Sequence, residues 1–290
     1  MKKMSVSKRC LCHVLLMVSV MMMLLSAGCS SDSDSSGPST QPKLPLVMIS
    51  DVHFTPFYDT AIFDDLVNSP VEEWAGLFES STVTDLSTWG QETNYPLLIR
   101  TLDEASLRLG EGQAVIFPGD ILSHHFPENF FKLYGEEDYD ALRSFVYKTV
   151  VFFATQVRER FGNVPVMFTL GNNDSYAGDY QLVPGGAFLT DTADMFYNTF
   201  LLGWADRNNY SNTYTAGGYF VAESPDAKVL FVCVNSVLFS KNRTDGCTDS
   251  ANNVPTAQLD WLEKVLEKAH ADKKKVFMVT HIPTGMSIYS

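Results

Sequence analysis

The sequence predicts an α/β domain, because short apolar segments alternate with amphipathic helical segments from residue 44 onward. A second observation concerns the residues after the apolar segments. Four of these segments are followed within three residues by residue types that bind metal ions. In α/β sheets, ligands bind beyond the carboxyl ends of the strands. The two observations together predict both the fold class and the place of the functional site.

The apolar segments are predicted to be strands because each is short and is bounded by residues that turn the chain. The predicted strands cover residues 46–50, 114–117, 164–170, 218–222, 229–234 and 276–280. Helical periodicity, with glycine or polar residues at the ends, indicates the intervening helices. The predicted helices cover residues 96–109, 139–160, 256–269 and part of 188–204.

The N-terminus is predicted to be a secretory signal and not part of the fold. Basic residues precede an apolar run over 14–25, which is shorter than the roughly 20 residues that span a bilayer. The small residues before Cys29 resemble a bacterial lipobox, so we expect residues 1–28 to be a lipoprotein signal peptide and Cys29 to be lipidated. An ordinary signal peptide with an incidental cysteine is the alternative. We expect residues 29–43 to be a flexible tether, and residues 44–290 to be a domain held at the bacterial cell envelope, at the outer membrane or the cell surface.

The charge of the chain argues against nucleic acid as a partner. The formal net charge is −13, and removal of residues 1–28 takes away four basic and no acidic residues, which leaves −17. An acidic surface repels polyanions unless a local basic patch intervenes.

The cysteines exclude a disulfide framework and a cysteine-rich zinc site. Of five cysteines, Cys10 and Cys12 lie in the signal and Cys29 is the expected lipid attachment site. Cys233 and Cys247 remain, and either a disulfide between them or a simply buried Cys233 is compatible with the sequence.

Polar residues follow four of the predicted strands and form the candidate site. They are Asp51 and His53 after the first strand, Asp120 with His124 and His125 after the second, Asn172, Asn173 and Asp174 after the third, and His281 after the last. Any one of these could be a turn or capping residue. Their joint occurrence favours a site for one or two divalent cations, because carboxylate, imidazole and amide groups bind zinc, manganese and iron.

The order of Asp51-x-His53, Gly119-Asp120, Gly171-Asn172 and Thr280-His281 resembles the calcineurin-like metallophosphoesterase superfamily. The steps Gly119-Asp120-Ile121-x-x-His124 and His281-Ile282-Pro283-Thr284-Gly285 are similar to the branch of acid sphingomyelinase-like phosphodiesterases and endopolyphosphatases. This resemblance implies a four-layer α/β/β/α sandwich. It also implies two divalent cations (zinc, manganese or iron), with Asp51 and His53 on one, Asn172 and His281 on the other, and Asp120 bridging both.

The implied reaction is hydrolysis of a phosphodiester or phosphomonoester by a metal-bridging hydroxide. His124 and Asn173 are the implied catalytic residues, with His124 contacting the phosphate or helping to protonate the leaving group. Polyphosphate is an alternative substrate. The oligomeric state, the metal and the substrate stay open.

Two departures from the family pattern bear on the function. Asn173 stands where the family usually has a histidine, and an amide does not act as a general acid near neutral pH, so His124 or His125 is the candidate substitute. The Asn173 variant also resembles the endopolyphosphatase pattern. The family's later Gly-His-x-His motif is not found before Ser290, so the fold is expected to lack its C-terminal strands. A catalytically degenerate or truncated lipoprotein that only binds metal or a ligand is therefore the alternative function.

Overall fold

The computed structural model of the chain describes residues 45–110, 113–226, 228–243 and 253–285. The predicted signal peptide, tether and lipidation site at Cys29 lie outside these residues, as does Cys247. Cys233 is buried and has no disulfide partner within the described residues, and the pairing with Cys247 that the sequence also allows falls outside them. Within the described ranges, no helix is both long and apolar enough to span a bilayer.

The first sheet contains three parallel strands in the order β1-β2-β3. They are β1 (Leu46–Met48), β2 (Ala114–Phe117) and β3 (Val166–Phe168). All four residues of β2 and all three of β3 are buried, which explains why they appear in the sequence as continuous apolar runs and not as alternating ones.

The second sheet contains β4 (Phe220–Glu223), β5 (Val229–Cys233) and β6 (Lys275–Val279). β4 pairs with β5 antiparallel, and β5 pairs with β6 parallel. The two sheets meet where the Thr169 hydroxyl donates to the Val234 carbonyl at 2.9 Å.

Strand β6 lies at the edge of its sheet within the described part of the chain. Val276, Phe277 and Met278 are 39%, 40% and 43% exposed, and only Val279 of this strand is buried.

Eight α-helices are found in the described ranges, and they connect or cover the strands. They are α1 (Phe63–Asn68), α2 (Trp74–Ser80), α3 (Tyr95–Leu109), α4 (Phe126–Tyr134), α5 (Tyr139–Phe161), α6 (Ala187–Phe196), α7 (Arg207–Gly217) and α8 (Val254–Ala271). A π-helical turn over Tyr197–Leu201 continues α6.

The long helices that precede β2 and β3 have side-chain caps at their first turn and a glycine at their end. The Asn94 side chain accepts from Leu97 N at 3.1 Å where α3 begins, and the Asp138 side chain accepts from Asp140 N and Ala141 N at 3.0 Å where α5 begins. α3 ends at Gly110 and α5 ends at Gly162, both with positive φ.

The predicted α/β class is confirmed. Every predicted strand and helix is present within a few residues, but α1, α2, α4 and α7 were not predicted. α1 and α2 are only 6 and 7 residues long, so neither shows a full helical repeat in the sequence. α7 has only two buried aromatic side chains, Tyr210 and Tyr214, among many polar residues, which hides its apolar face.

An aromatic core lies directly behind the loop that follows β1. Phe54 is fully buried and packs on Phe78 and Phe152, with ring centroids 5.8 and 5.7 Å away. Trp74 packs on Phe145 and Phe152 in the same cluster, at 5.2 and 5.7 Å. Because Phe54 is the next residue after His53, this core fixes the position of the His53 backbone.

Lys148 of α5 closes the C-terminal end of α1. Its ammonium group donates to the carbonyls of Leu66, Val67 and Ser69 at 3.0, 2.6 and 2.9 Å and lies 5.7 Å from the Trp74 ring centroid. Burial lowers the pKa of Lys148. The three carbonyls are therefore satisfied by one partly buried ammonium group.

We predict that Lys148→Met lowers the free energy of unfolding by about 2 kcal/mol, because it keeps the aliphatic stem and removes charge-assisted hydrogen bonds. Urea titration followed by circular dichroism measures this change. Lys264→Met, at an exposed position of α8, is the matched control and is expected to change the stability by less than about 0.5 kcal/mol. Equal stability of the two variants would contradict the capping role of Lys148.

Candidate metal centre

The candidate site residues follow strands whose carboxyl ends point to the same edge. Asp51 and His53 follow β1, Asp120 follows β2 and Asn172 follows β3, and these three strands are parallel neighbours. His281 follows β6 of the other sheet. Because neighbouring parallel strands have their carboxyl ends at the same edge of the sheet, the residues that follow them lie close together.

The loop backbones at this edge adopt conformations that ordinary residues rarely use. Asp51, His53 and Asp120 have φ of 53°, 45° and 59°. The backbone N–H groups of Asp51 and His53 donate to the carbonyls of Gly119 and Asp120 at 3.1 and 2.9 Å. Left-handed backbone at non-glycine residues costs free energy and is concentrated at functional sites.

Two glycines allow the loops after β2 and β3 to touch. A Cβ at Gly119 would lie 2.7 Å from the carbonyl carbon of Leu170, and a Cβ at Gly171 would lie 2.5 Å from Cγ of Asp120. Both distances are shorter than real carbon contacts. Glycine at these positions is therefore required for Asp120 to approach the Asn172 loop.

Asp120 lies at the centre of the donor atoms. The residue is 2% exposed, and its Oδ2 lies 3.5 Å from Nε2 of His53 and 3.5 Å from Nε2 of His281. One carboxylate oxygen thus faces two imidazoles that come from different sheets.

On the β1 side, Asp51, His53 and Asp120 form a group whose ligand atoms all lie within 4.8 Å of one another. The Ser50 hydroxyl donates to Oδ2 of Asp51. Nδ1 of His53 lies 3.2 Å from the Leu122 carbonyl, which leaves Nε2 directed at Asp120.

On the β3 side, Nε2 of His281 lies 2.9 Å from Oδ1 of Asn172. Nδ1 of His281 lies 3.0 Å from the Pro118 carbonyl, which accepts its proton. The Asn172 amide donates to Oδ1 of Asp179 at 2.7 Å, which turns its own oxygen toward His281.

These contacts direct lone pairs at one another. In the neutral imidazole with its proton on Nδ1, Nε2 of His281 is an acceptor that faces the acceptor oxygens of Asn172 and Asp120. Nε2 of His53 faces Asp120 in the same way. Lone pairs on neighbouring nitrogen and oxygen atoms repel one another unless a proton or another positive charge lies between them. The arrangement of His53, Asp120, Asn172 and His281 therefore fits divalent cations.

Asn173 turns away from solvent and holds Asp120. It is 2% exposed, and its backbone N–H and side-chain amide donate to Oδ1 and Oδ2 of Asp120 at 2.9 and 3.0 Å. In this position the Asn173 side chain orients a carboxylate and has no open side toward a substrate.

Asp174 ties the loop after β3 to the loop after β2. Its carboxylate accepts from the backbone N–H groups of Gly171, Asp120, Ile121 and Leu122, at 2.8, 2.9, 2.8 and 3.3 Å. Burial, and then the charge of Asp120, raise the pKa of Asp174 to about 6, whereas the N–H donors of Gly171 and Ile121 oppose this rise. Positive charge at the site would favour the ionised carboxylate.

His124 lies at the solvent side of the site. Its side chain is 51% exposed, and its ring stacks on the His53 ring with centroids 4.1 Å apart. Nδ1 of His124 lies 2.8 Å from Oε1 of Glu92. His125 is exposed at the start of α4 with φ of 53°, and it makes no side-chain cap hydrogen bond there.

The structure brings Asp51, His53, Asp120, Asn172 and His281 together, with His124 beside them. Sequence reasoning missed Glu92 and Asp179, whose carboxylates contact Nδ1 of His124 and the side-chain amide of Asn172. Glu92 lies far from the strand ends that drew attention to the other residues, and no motif marks it.

The family model of the calcineurin-like phosphoesterases matches residues 44–290 of the chain. Among curated proteins, the rat cyclic GMP-AMP phosphodiesterase SMPDL3A is 26% identical over 148 residues, which are 50% of this chain and 31% of that protein. An endopolyphosphatase of Cryptococcus neoformans is 23% identical over 177 residues, 60% of this chain and 24% of that protein. Sphingomyelin phosphodiesterase A of Dictyostelium discoideum is 26% identical over 132 residues, 45% of this chain and 21% of that protein.

The chain therefore spans less than a third of the length of each of these curated relatives. They belong to the sphingomyelinase-like and endopolyphosphatase groups, so the predicted branch is confirmed. Since the family model matches residues 44–290, the protein belongs to the calcineurin-like phosphoesterases.

Proposed function

We propose that the protein hydrolyses a phosphoester at a site that holds two divalent cations. The observation that carries this proposal is the position of Asp120, whose Oδ2 lies 3.5 Å from Nε2 of both His53 and His281. A carboxylate between two imidazoles from different sheets is suited to bridge two ions.

The donors divide into two groups around this bridge. Asp51 and His53 would hold one cation, and Asn172 and His281 would hold the other. When bound, the two cations would supply Lewis-acid chemistry, which activates water and neutralises charge on the phosphoryl oxygens. The protein orients the donors through the Pro118 and Leu122 carbonyls, the Asp179 carboxylate and the Asn173 amide.

His124 is the proposed proton donor to the leaving oxygen. Asn173 cannot serve this purpose, since its amide is buried and donates to Asp120. The His124 ring is half exposed and stacks on His53, so it can reach a substrate bound at the cations.

The proposed substrate is a phosphodiester or phosphomonoester at the cell envelope. The names of the relatives include two phosphodiesterases and one endopolyphosphatase. The predicted mature charge of −17 argues against polyphosphate, because a polyanion requires a basic groove. Lipidation of Cys29 would place the enzyme near phospholipid-like and extracellular substrates.

We predict metal-dependent turnover by the purified full chain. Bis-p-nitrophenyl phosphate, p-nitrophenyl phosphate and polyphosphate should be compared with added Mn²⁺ or Zn²⁺ and with a chelator. Asp120→Asn is expected to lower kcat/KM by about 10²–10³-fold and to lower the bound metal, because it weakens the bridging ligand.

Asp260→Asn, at an exposed position of α8, is the matched control for charge and should leave turnover and metal content unchanged. Turnover that resists chelation would contradict the proposal. Less than one bound metal per chain without turnover would favour the alternative, a degenerate lipoprotein that only binds metal or a ligand.

We predict that the effect of His124→Asn depends on the leaving group. The loss of kcat should approach about 10²-fold for an alkyl phosphoester, whose alkoxide needs a proton, and be small for a p-nitrophenyl ester. His270→Asn, at an exposed position of α8, is the control. Equal losses for both esters would show that His124 does not donate the proton.

We predict that Cys29→Ser releases the protein from the membrane fraction, since the proposed anchor is a lipid on this cysteine. Fractionation of expressing bacteria and metabolic labelling with a radioactive fatty acid measure this change. Cys12→Ser, within the predicted signal peptide, is the control and should remain membrane-bound. Equal distribution of the two variants would contradict lipid anchoring at Cys29.

A further inference from the structure

We propose that Glu92 is a positioning residue that selects the tautomer and the ring orientation of His124. This inference rests on the proposed function, because it concerns how the proton donor of that reaction is prepared. It assigns a role to a residue that no motif marks.

The contact between the two side chains determines which nitrogen of His124 faces the site. Oε1 of Glu92 lies 2.8 Å from Nδ1 of His124, and an ionised carboxylate has only acceptors. The proton of neutral His124 is therefore held on Nδ1. Nε2 is left free to carry and release the second proton, which is the one that a leaving oxygen would take.

The second contact fixes the plane of the ring. The His124 imidazole stacks on that of His53 with centroids 4.1 Å apart and an angle of 21° between the planes. The His124 side chain is 51% exposed, so the contacts with Glu92 and His53 restrict a ring that otherwise faces solvent. Without Glu92, rotation about the Cβ–Cγ bond would exchange the position of Nδ1 with that of Cδ2, and the position of Nε2 with that of Cε1.

Glu92 is itself held by the loop that carries His53. The next residue, Thr93, donates from its N–H to the His53 carbonyl at 3.1 Å, and its carbonyl accepts from Thr55 N at 2.9 Å. The carboxylate of Glu92 is therefore placed relative to the same backbone that places the His53 ring.

The second carboxylate oxygen of Glu92 supports a functional role. Oε2 is buried and has no hydrogen-bond partner in the described part of the chain. A buried unsatisfied acceptor costs free energy, and a residue with only a structural role would be expected to satisfy both oxygens.

Glu92, His53 and His124 also have ligand atoms within 4.8 Å of one another, which raises the alternative of a further cation site. The contacts favour the positioning role. Nδ1 of His124 and Oε1 of Glu92 lie at hydrogen-bond distance, and both nitrogens of His53 face other acceptors, the Leu122 carbonyl and Asp120. Binding of an additional cation by these three residues would appear as a fall in bound metal in Glu92→Gln.

Kinetics of Glu92→Gln in the full chain test the proposal. We expect kcat to fall about 10–100-fold for an alkyl phosphoester and by much less for a p-nitrophenyl ester, with KM and bound metal unchanged. Glu104→Gln, which removes a partly exposed carboxylate paired with Arg100 on α3, is the matched control. Equal losses with both esters, or a fall in bound metal, would overturn the proposal.

A double-variant cycle separates positioning from an independent effect. If Glu92 acts through His124, the variant with both Glu92→Gln and His124→Asn should be no slower than His124→Asn alone. If the double variant lost the product of the two single-variant factors in kcat, Glu92 would act by a route that does not involve His124. Thermal unfolding of each variant shows whether a loss comes from failure to fold.

Nuclear magnetic resonance of the histidine nitrogens gives a readout that does not need turnover. We expect neutral His124 to carry its proton on Nδ1 in the unsubstituted chain, and Glu92→Gln to shift part of it to the Nε2-protonated tautomer. A proton on Nε2 in the unsubstituted chain would overturn the role of Glu92. Absence of metal-dependent turnover together with the Nδ1 tautomer would refute the proposed function and leave the Glu92 contact established.

Discussion

The structure depends on the parallel pairing of β1, β2 and β3, because this pairing brings residues far apart in sequence to one edge. Asp51, Asp120 and Asn172 are separated by 69 and 52 positions in the chain, and each follows a strand that pairs with its neighbour in the sheet. β2 is the central strand, so the residue after it, Asp120, lies between the others. Its central position in the donor set is a direct result of strand order.

Asn173 and Asp174, in the loop after β3, hold Asp120 by hydrogen bonds. Asn173 donates to both of its carboxylate oxygens, and Asp174 accepts from its backbone N–H. The arrangement places the Asp120 and Asp174 carboxylates close together in a buried region, which is unfavourable without compensating positive groups. Main-chain N–H groups supply part of that compensation for Asp174, and cations at the site would supply the remainder.

The sequence predicted the strands, the long helices and the five candidate ligands, because each of these has a local signature. An apolar strand followed by a polar residue is visible in a single segment. The short helices α1 and α2 and the polar helix α7 lack such a pattern, since their boundaries are set by packing against other elements. Glu92 and Asp179 were missed for a related reason: their roles come from contacts with His124 and Asn172, and no local rule relates these pairs. The role of Asn173 was also hidden, because only the structure shows its amide donating to Asp120.

The position of β6 would make one half of the candidate metal centre sensitive to local opening. Within the described residues, His281 follows an edge strand with three partly exposed apolar residues, and it is held there by the Pro118 carbonyl and by the bond from Ile282 N to the Ser236 hydroxyl at 2.7 Å. Fraying of β6 would withdraw His281 from Asn172 and Asp120 while leaving Asp51 and His53 in place. By thermodynamic linkage, an ion held by His281 would in turn protect the β6 amides from hydrogen exchange. Higher occupancy of the ion site at His281 would therefore go with a more ordered β6 strand.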